Sequence, residues 1–312
     1  MSSRVRHVLW IGGPPASGKT SIATRIARRH GLRWYNADTR TWEHRDRAIR
    51  QGIGAAIRWE AMTPEERWGP STPTEMLELS LHRERGPMVV DDLLALPSSP
   101  LVIAEGSTLP AAAVDDRSRA VWLIPTPEFQ RARLEERGLR RGAKELFLLL
   151  AGTIEREARD RGVPMLLVDG ARGVDATVAA VERRFEDALC EGPLAETGAE
   201  RRALLREANE AVVAQVRGYY ARPWADGDPD EVVRTFRASA VARAATRASM
   251  CASRLLPMRP CSRTGTHRRR ARSREVAAPL RASRTRRAAC ERGPRARSRV
   301  ARGSGATSSH PG

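Results

Sequence analysis

The stretch that decides the fold is Val5-Arg6-His7-Val8-Leu9-Trp10-Ile11-Gly12-Gly13-Pro14-Pro15-Ala16-Ser17-Gly18-Lys19-Thr20. Val5 to Ile11 is short, mostly apolar and rich in β-branched residues, and reads as a buried strand. A glycine-rich turn follows. Ser21 to Arg29 then reads as a helix, with Ile22 and Ile26 one turn apart. Between strand and helix, Gly13-Pro14-Pro15-Ala16-Ser17-Gly18-Lys19-Thr20 has the spacing of a P-loop. Glycines at such positions let the backbone curl so that several N–H groups converge on phosphate oxygens. The following helix turns its positive end toward the same anion. In this pattern Lys19 reaches the β- and γ-phosphates and Thr20 presents its hydroxyl to Mg²⁺, so the expected ligand is ATP–Mg²⁺. Lysine is scarce here: of 55 basic residues only Lys19 and Lys144 are Lys. A compact ammonium fits inside a phosphate nest where a planar guanidinium would not.

Working outward, further short apolar runs alternate with helical patterns. Leu32–Tyr35, Leu101–Ala104, Ala120–Ile124 and Met165–Val168 read as strands. Helices are expected over Trp42–Trp59 (with a break near Gly52 and Gly54), from Thr63-Pro64-Glu65-Glu66 onward, over Glu75–Arg85, from Pro127 through Arg137, over Lys144–Arg161 and over Val174–Leu189. Such alternation predicts an α/β fold: a doubly wound, parallel, five-stranded sheet covered on both faces. Glu200–Tyr220 reads as one more amphipathic helix, followed by a turn-rich loop over 222–229 and a last ordered piece over Glu231–Phe236. The expected organisation is a nucleotide-binding domain over 1–190, a helical extension over 191–236, and a tail over 237–312. The tail has no aromatic residue and too little apolar surface to offset its chain entropy, so it reads as disordered.

The net charge of +18 resides in that tail, where twenty Arg face two acids, Glu275 and Glu291. The rest of the 312 residues is balanced. None of the four cysteines forms a C-x-x-C pair, so neither a disulfide framework nor a zinc spacing is read. No stretch approaches eighteen consecutive apolar residues, and the N-terminus does not read as a signal peptide. A cytoplasmic protein with no membrane partner is expected.

On Gly13 to Thr20, Asp38 after the second strand, Glu105-Gly106 after the third, and Arg131 to Arg141 after the fourth, the chain resembles the small P-loop kinases. That group includes shikimate, gluconate and nucleoside monophosphate kinases, and the resemblance covers roughly residues 5–190. It implies an ATP-dependent phosphotransferase. Asp38 would hold or deprotonate the acceptor hydroxyl, and Glu105 with Thr20 would serve Mg²⁺. Lid arginines, Arg137 and Arg141 first among Arg131, Arg133, Arg137, Arg140 and Arg141, would neutralise the transferring phosphoryl group. Asp38 also suits a helix N-cap, and Glu105 a salt bridge to an arginine. Asp91 and Asp92 compete as metal acids if Met88-Val89-Val90 is a strand. Trp34, Tyr35, Trp42, Trp59 and Trp68 either floor an acceptor pocket or pack a core, and His44 and Arg45 share their region. Neither the glycine triplet of shikimate kinases after the third strand nor the Asp-Gly-Phe-Pro-Arg of adenylate kinases occurs, so the acceptor does not transfer from those subgroups.

The tail has two readings: a basic arm for nucleic acid, or the product of a shifted reading frame in GC-rich DNA. Codon degeneracy permits a shifted frame with a cysteine cluster after Phe236. Beside the kinase stand two other readings of the whole: a P-loop ATPase or regulatory ATP-binding protein without an acceptor, and a nucleic-acid-linked ATPase.

Overall fold

The computed structural model describes residues 5–67, 72–225 and 227, all within one compact unit. Trp68, the end of the 222–229 loop, the segment 231–236 and the Arg-rich tail with its alternative readings lie outside the described residues.

Five strands, β1 (Val8–Gly12), β2 (Arg33–Asn36), β3 (Val102–Gly106), β4 (Ala120–Pro125) and β5 (Met165–Val168), form one all-parallel sheet in the order β2-β3-β1-β4-β5. The central strands alternate strictly between two apolar layers. Val8 and Trp10 of β1, Val102 and Ala104 of β3, and Trp122 of β4 face one layer. Leu9, Ile11, Ile103 and Leu123 face the other. Both faces are dry, which is why these strands read as nearly continuous apolar runs.

Helices cover both layers. On the second face lie α1 (Lys19–His30), with Ile22 and Ile26 buried one turn apart, and α9 (Val174–Arg184) and α10 (Glu186–Glu191), which adjoin at buried Phe185. On the first face lie α6 (His82–Ala95), through Val89 and Leu93, and α8 (Arg141–Asp160), through Leu150 and Ile154. The β4–α8 connection carries α7 (Pro127–Glu136), whose start is set by Thr126 accepting from the Phe129 N–H and by Pro127 in its first turn. Between β2 and β3 run α2 (Thr41–Arg50), α3 (Gly54–Ala61), α4 (Pro64–Arg67) and α5 (Pro73–Leu79). The last element, α11 (Gly198–Tyr220), begins with a reciprocal cap in which Thr197 and Glu200 satisfy each other's backbone N–H groups.

Several boundaries depart from the sequence expectations. β1 starts at Val8, because residues 5–7 form a turn. The helix expected over Glu75–Arg85 breaks between α5 and α6, where Leu81 adopts a left-handed conformation with φ 56°. Met88-Val89-Val90 is helical, not a strand. A three-residue apolar run fits either period, and Val89 and Leu93, four apart, bury one helical face against the sheet. Asp91 and Asp92 therefore stand on a helix and not at a strand end. Among the described residues no helix is long and apolar enough to cross a membrane.

Candidate functional site

In an open parallel sheet, ligands bind beyond the carboxyl ends of the strands where the connections diverge. Here β1 leads to β2 on one side and β3 leads to β4 on the other, so the divergence lies at the ends of β1 and β3. Their register pairs Ile11 with Glu105 and Gly12 with Gly106, and β2 pairs Asn36 with Glu105. The β1–α1 loop, Glu105 and the residues after Asn36 thus meet at one rim.

The loop is built by positive φ angles at Gly13 (131°), Ala16 (69°) and Gly18 (85°). Gly18 directly precedes α1, whose first turn has no side-chain cap, so its N–H groups remain open at the rim. Lys19 folds back into the loop: its ammonium donates to the Pro14 carbonyl at 2.7 Å and to Ser17 Oγ at 3.4 Å. Gln130 of α7, itself buried, braces the outer side of the loop by donating from Nε2 to the Pro15 carbonyl at 3.0 Å.

Glu105 is fully buried. By the alternation of β3 it projects toward the α1 face, where Thr20 Oγ1 donates to Glu105 Oε1 at 3.0 Å. Its Oε2 is buried without a partner. Burial, with Asp38 nearby, pushes the Glu105 carboxyl up to about 8, against the pull of Lys19 and the Thr20 hydroxyl. Burial likewise lowers the Lys19 ammonium, with Glu105 and Asp38 opposing and Arg137 adding to the shift. The Thr20 hydroxyl and the Glu105 carboxyl with its free oxygen are hard oxygen donors of the kind that suit Mg²⁺ on a polyphosphate, and a bound dication would favour the ionised carboxylate against the effect of burial. This pair fits that ion.

Asp38 lies in a 3₁₀ turn, Ala37–Arg40, after β2. Its capping role falls to Asn36, whose Oδ1 accepts from the Asp38 N–H at 2.8 Å. The Asp38 carboxylate has no hydrogen-bond or ion-pair partner among the described residues, and it lines the cavity. Its backbone is fixed from both sides: the Asp38 carbonyl accepts from Thr41 Oγ1 at 2.7 Å and from Gln215 Nε2 of α11 at 3.0 Å.

The cavity has a volume of about 400 Å³ and runs from the loop to α2, α3 and α5, with Leu146, Phe147 and Leu150 of α8 forming an apolar wall. Arg137, at the end of α7, reaches it. Arg141 does not: its side chain is 93% exposed and pairs with Glu145 at 2.7 Å. Arg133 is likewise engaged on the surface, with Glu136. Arg140 flanks the start of α8. Of the aromatic residues singled out in the sequence, Trp59 lines the cavity. Trp42, which does not line the cavity, packs at tilted angles against Trp59, Tyr219 and Trp224. Trp34 packs under the second layer. Tyr35 donates to Asp92 Oδ2 at 2.8 Å. Asp92 also pairs with His44 Nε2 at 2.8 Å and with Arg47, so this acid and fully buried His44 form a network behind the cavity wall, joined to it through Arg85, which donates to His44 Nδ1 at 3.4 Å. Arg45 does line the cavity.

Sequence reasoning missed Arg67, Arg85, His82, Ser107 and Thr108, all on the cavity wall. Arg67 and Arg85 looked like ordinary members of an arginine-rich chain. Only the fold shows that both are buried. No protein-family model matches the chain. No curated protein matches it either.

Proposed function

We propose that this protein is an ATP-dependent phosphotransferase of the P-loop kinase type. The observation that carries the reading is Lys19: a buried ammonium held inside a loop of left-handed turns, at the open N-terminus of α1, lining a cavity that is also lined by Asp38, whose carboxylate has no hydrogen-bond or ion-pair partner among the described residues. An uncapped helix start and a buried cation in one nest favour a polyphosphate.

On this reading the loop N–H groups and Lys19 would hold the β- and γ-phosphates, and Thr20 and Glu105 would hold Mg²⁺. When bound, that ion supplies charge neutralisation on the phosphate oxygens. Asp38 orients an acceptor hydroxyl and takes its proton as the oxygen bonds to the γ-phosphorus and the bond from that phosphorus to the β-phosphate bridging oxygen breaks. Lys19 and Arg137 offset the charge that gathers on the departing diphosphate and the transferring group. The apolar wall from α8 keeps water from competing with the acceptor.

The test is transfer of label from γ-labelled ATP to a metabolite panel, with Lys19→Ala as the control. Label on one compound, lost in Lys19→Ala, is the expected result. Label released only as inorganic phosphate, also lost in the variant, would replace this reading with an ATPase that has no acceptor.

A further inference from the structure

Among the described residues the cavity is lined by five Lys and Arg side chains, Lys19, Arg45, Arg67, Arg85 and Arg137, and by one acid, Asp38. Lys19 and Arg137 stand at the loop end. The other three lie on α2, α4 and α6, and two of them are occupied. Arg85 donates to the Ala37 carbonyl at 2.7 Å and to His44 Nδ1 at 3.4 Å. Arg67 donates to the carbonyls of Trp59 and Glu60, and its guanidinium rests against the rings of both Trp59 and Trp224, at 4.2 and 3.7 Å.

Arg45 differs. It is only 5% exposed, and a single contact, Nη2 to the Leu79 carbonyl at 3.2 Å, engages its guanidinium. Among the described residues its Nε and Nη1 have no hydrogen-bond partner, and both are buried. Glu60 is the nearby counter-charge: its Oε1 lies 3.7 Å from Arg222, its Oε2 is buried with no hydrogen-bond partner among the described residues, and it acts on Arg45 through charge alone, with no hydrogen bond or ion pair between them. The guanidinium rests 3.9 Å above the Trp59 ring, which fixes its plane. Two further polar atoms of residues lining the same cavity, Thr108 Oγ1 and His82 Nδ1, are also buried and have no hydrogen-bond partner among the described residues. A buried cation with unfilled donors is unfavourable unless an anion completes it. Burial lowers the Arg45 guanidinium to about 9, which accords with an incomplete site.

We propose that this end of the cavity is an anion subsite, in which Arg45 takes a carboxylate or phosphate group of the acceptor while Thr108 and His82 meet its polar substituents. The name acceptor rests on the phosphotransferase reading; the anion subsite itself does not. The acceptor class is then a small hydroxylated acid or a sugar phosphate. Its hydroxyl faces Asp38 and its anionic group lies on Arg45 over Trp59.

The experiment fills the loop first, with Mg²⁺ and a non-hydrolysable ATP analogue, so that added anions report on the far subsite. Inorganic phosphate, acetate and neutral glycerol are then titrated separately at constant ionic strength. The Arg45 Nε–H and Trp59 indole N–H resonances are followed by NMR. Saturable shifts with phosphate or acetate at millimolar concentrations, none with glycerol, and a weakening of about tenfold or more in Arg45→Gln are expected. Phosphate alone would indicate a phosphorylated acceptor, acetate alone a carboxylate. Arg45→Lys, which keeps the charge and loses the planar donors, stands in if Arg45→Gln no longer binds the analogue. No saturable shift with either anion, or equal binding to wild type and variant, would overturn the proposal. Label transfer to a neutral compound would overturn it too and leave the kinase standing. Anion binding without any label transfer would do the reverse.

Discussion

Two glycines of the loop separate backbone strain from steric conflict. Gly18 has φ 85° and nothing within 4 Å of where a Cβ would stand. Gly18→Ala then carries only the cost of a left-handed alanine, about 1 kcal/mol. Gly13 has φ 131°, and an added Cβ would lie 2.3 Å from the Leu123 carbonyl oxygen. That oxygen belongs to the backbone of β4, which is locked in register with β1 through Gly12 and Trp122 and cannot rotate aside. Overpacking of this kind adds about 1–3 kcal/mol to the strain. Gly13→Ala is therefore expected to destabilise by about 2–4 kcal/mol, against about 1 kcal/mol for Gly18→Ala. Urea unfolding followed by far-ultraviolet circular dichroism measures both, and an unchanged slope certifies that the same surface unfolds. In a domain of this size the corresponding thermal shifts are about 10 °C and 3 °C. Equal losses in the two variants would refute the reasoning, since it attributes their difference to one contact.

The remaining predictions concern the walls of the site. Arg222, only 8% exposed, donates to both oxygens of Asp46 and to the Trp42 carbonyl; Arg222→Ala should cost about 2–3 kcal/mol in urea unfolding and shift tryptophan emission as the Trp42, Trp59 and Trp224 cluster loosens. Burial raises the Asp92 carboxyl, but hydrogen bonds from His44 and Tyr35, with charge from Arg40, outweigh it and hold the group below its ordinary 3.8. A depressed acid stabilises the fold above its unfolded value and loses that contribution as pH falls, so the stability gap between wild type and Asp92→Asn should be full at neutral pH and shrink below about pH 3.8. Glu105→Gln keeps the volume and the Thr20 contact. It should leave the empty protein at least as stable in urea unfolding, because burial already disfavours the charge there, and should remove the Mg²⁺ dependence of ATP binding measured by calorimetry.

The parts of this molecule that were legible in the sequence are those governed by short-range pattern. β1 and α1 are marked by apolar period and by the glycines between them, and the alternation of strands with helices implied the parallel sheet. Glu105 was legible because an acid that leaves a run of four apolar residues has few places to go. Asp38 was legible by position, although its neighbour Asn36, and not Asp38, turned out to cap the turn. What the sequence left open depends on long-range packing. The Met88–Val90 run carries no period of its own, and only the sheet above it selects the helix. In an arginine-rich chain, no local signal separates buried Arg45, Arg67 and Arg85 from solvent-facing Arg133 and Arg141. The distinction arises when α2, α4 and α6 converge on one cavity. The extension was legible as a helix, but not its role: Gln215 holds the Asp38 backbone and Trp224 covers Arg67.

The most direct measurement is calorimetric binding of ATP to wild type and to Lys19→Ala, each with and without Mg²⁺. The account predicts saturable binding by wild type that strengthens with Mg²⁺. It also predicts loss of that binding in a Lys19→Ala protein whose circular dichroism is unchanged. ATP binding of equal strength in a folded Lys19→Ala variant, or no binding by wild type, would contradict it.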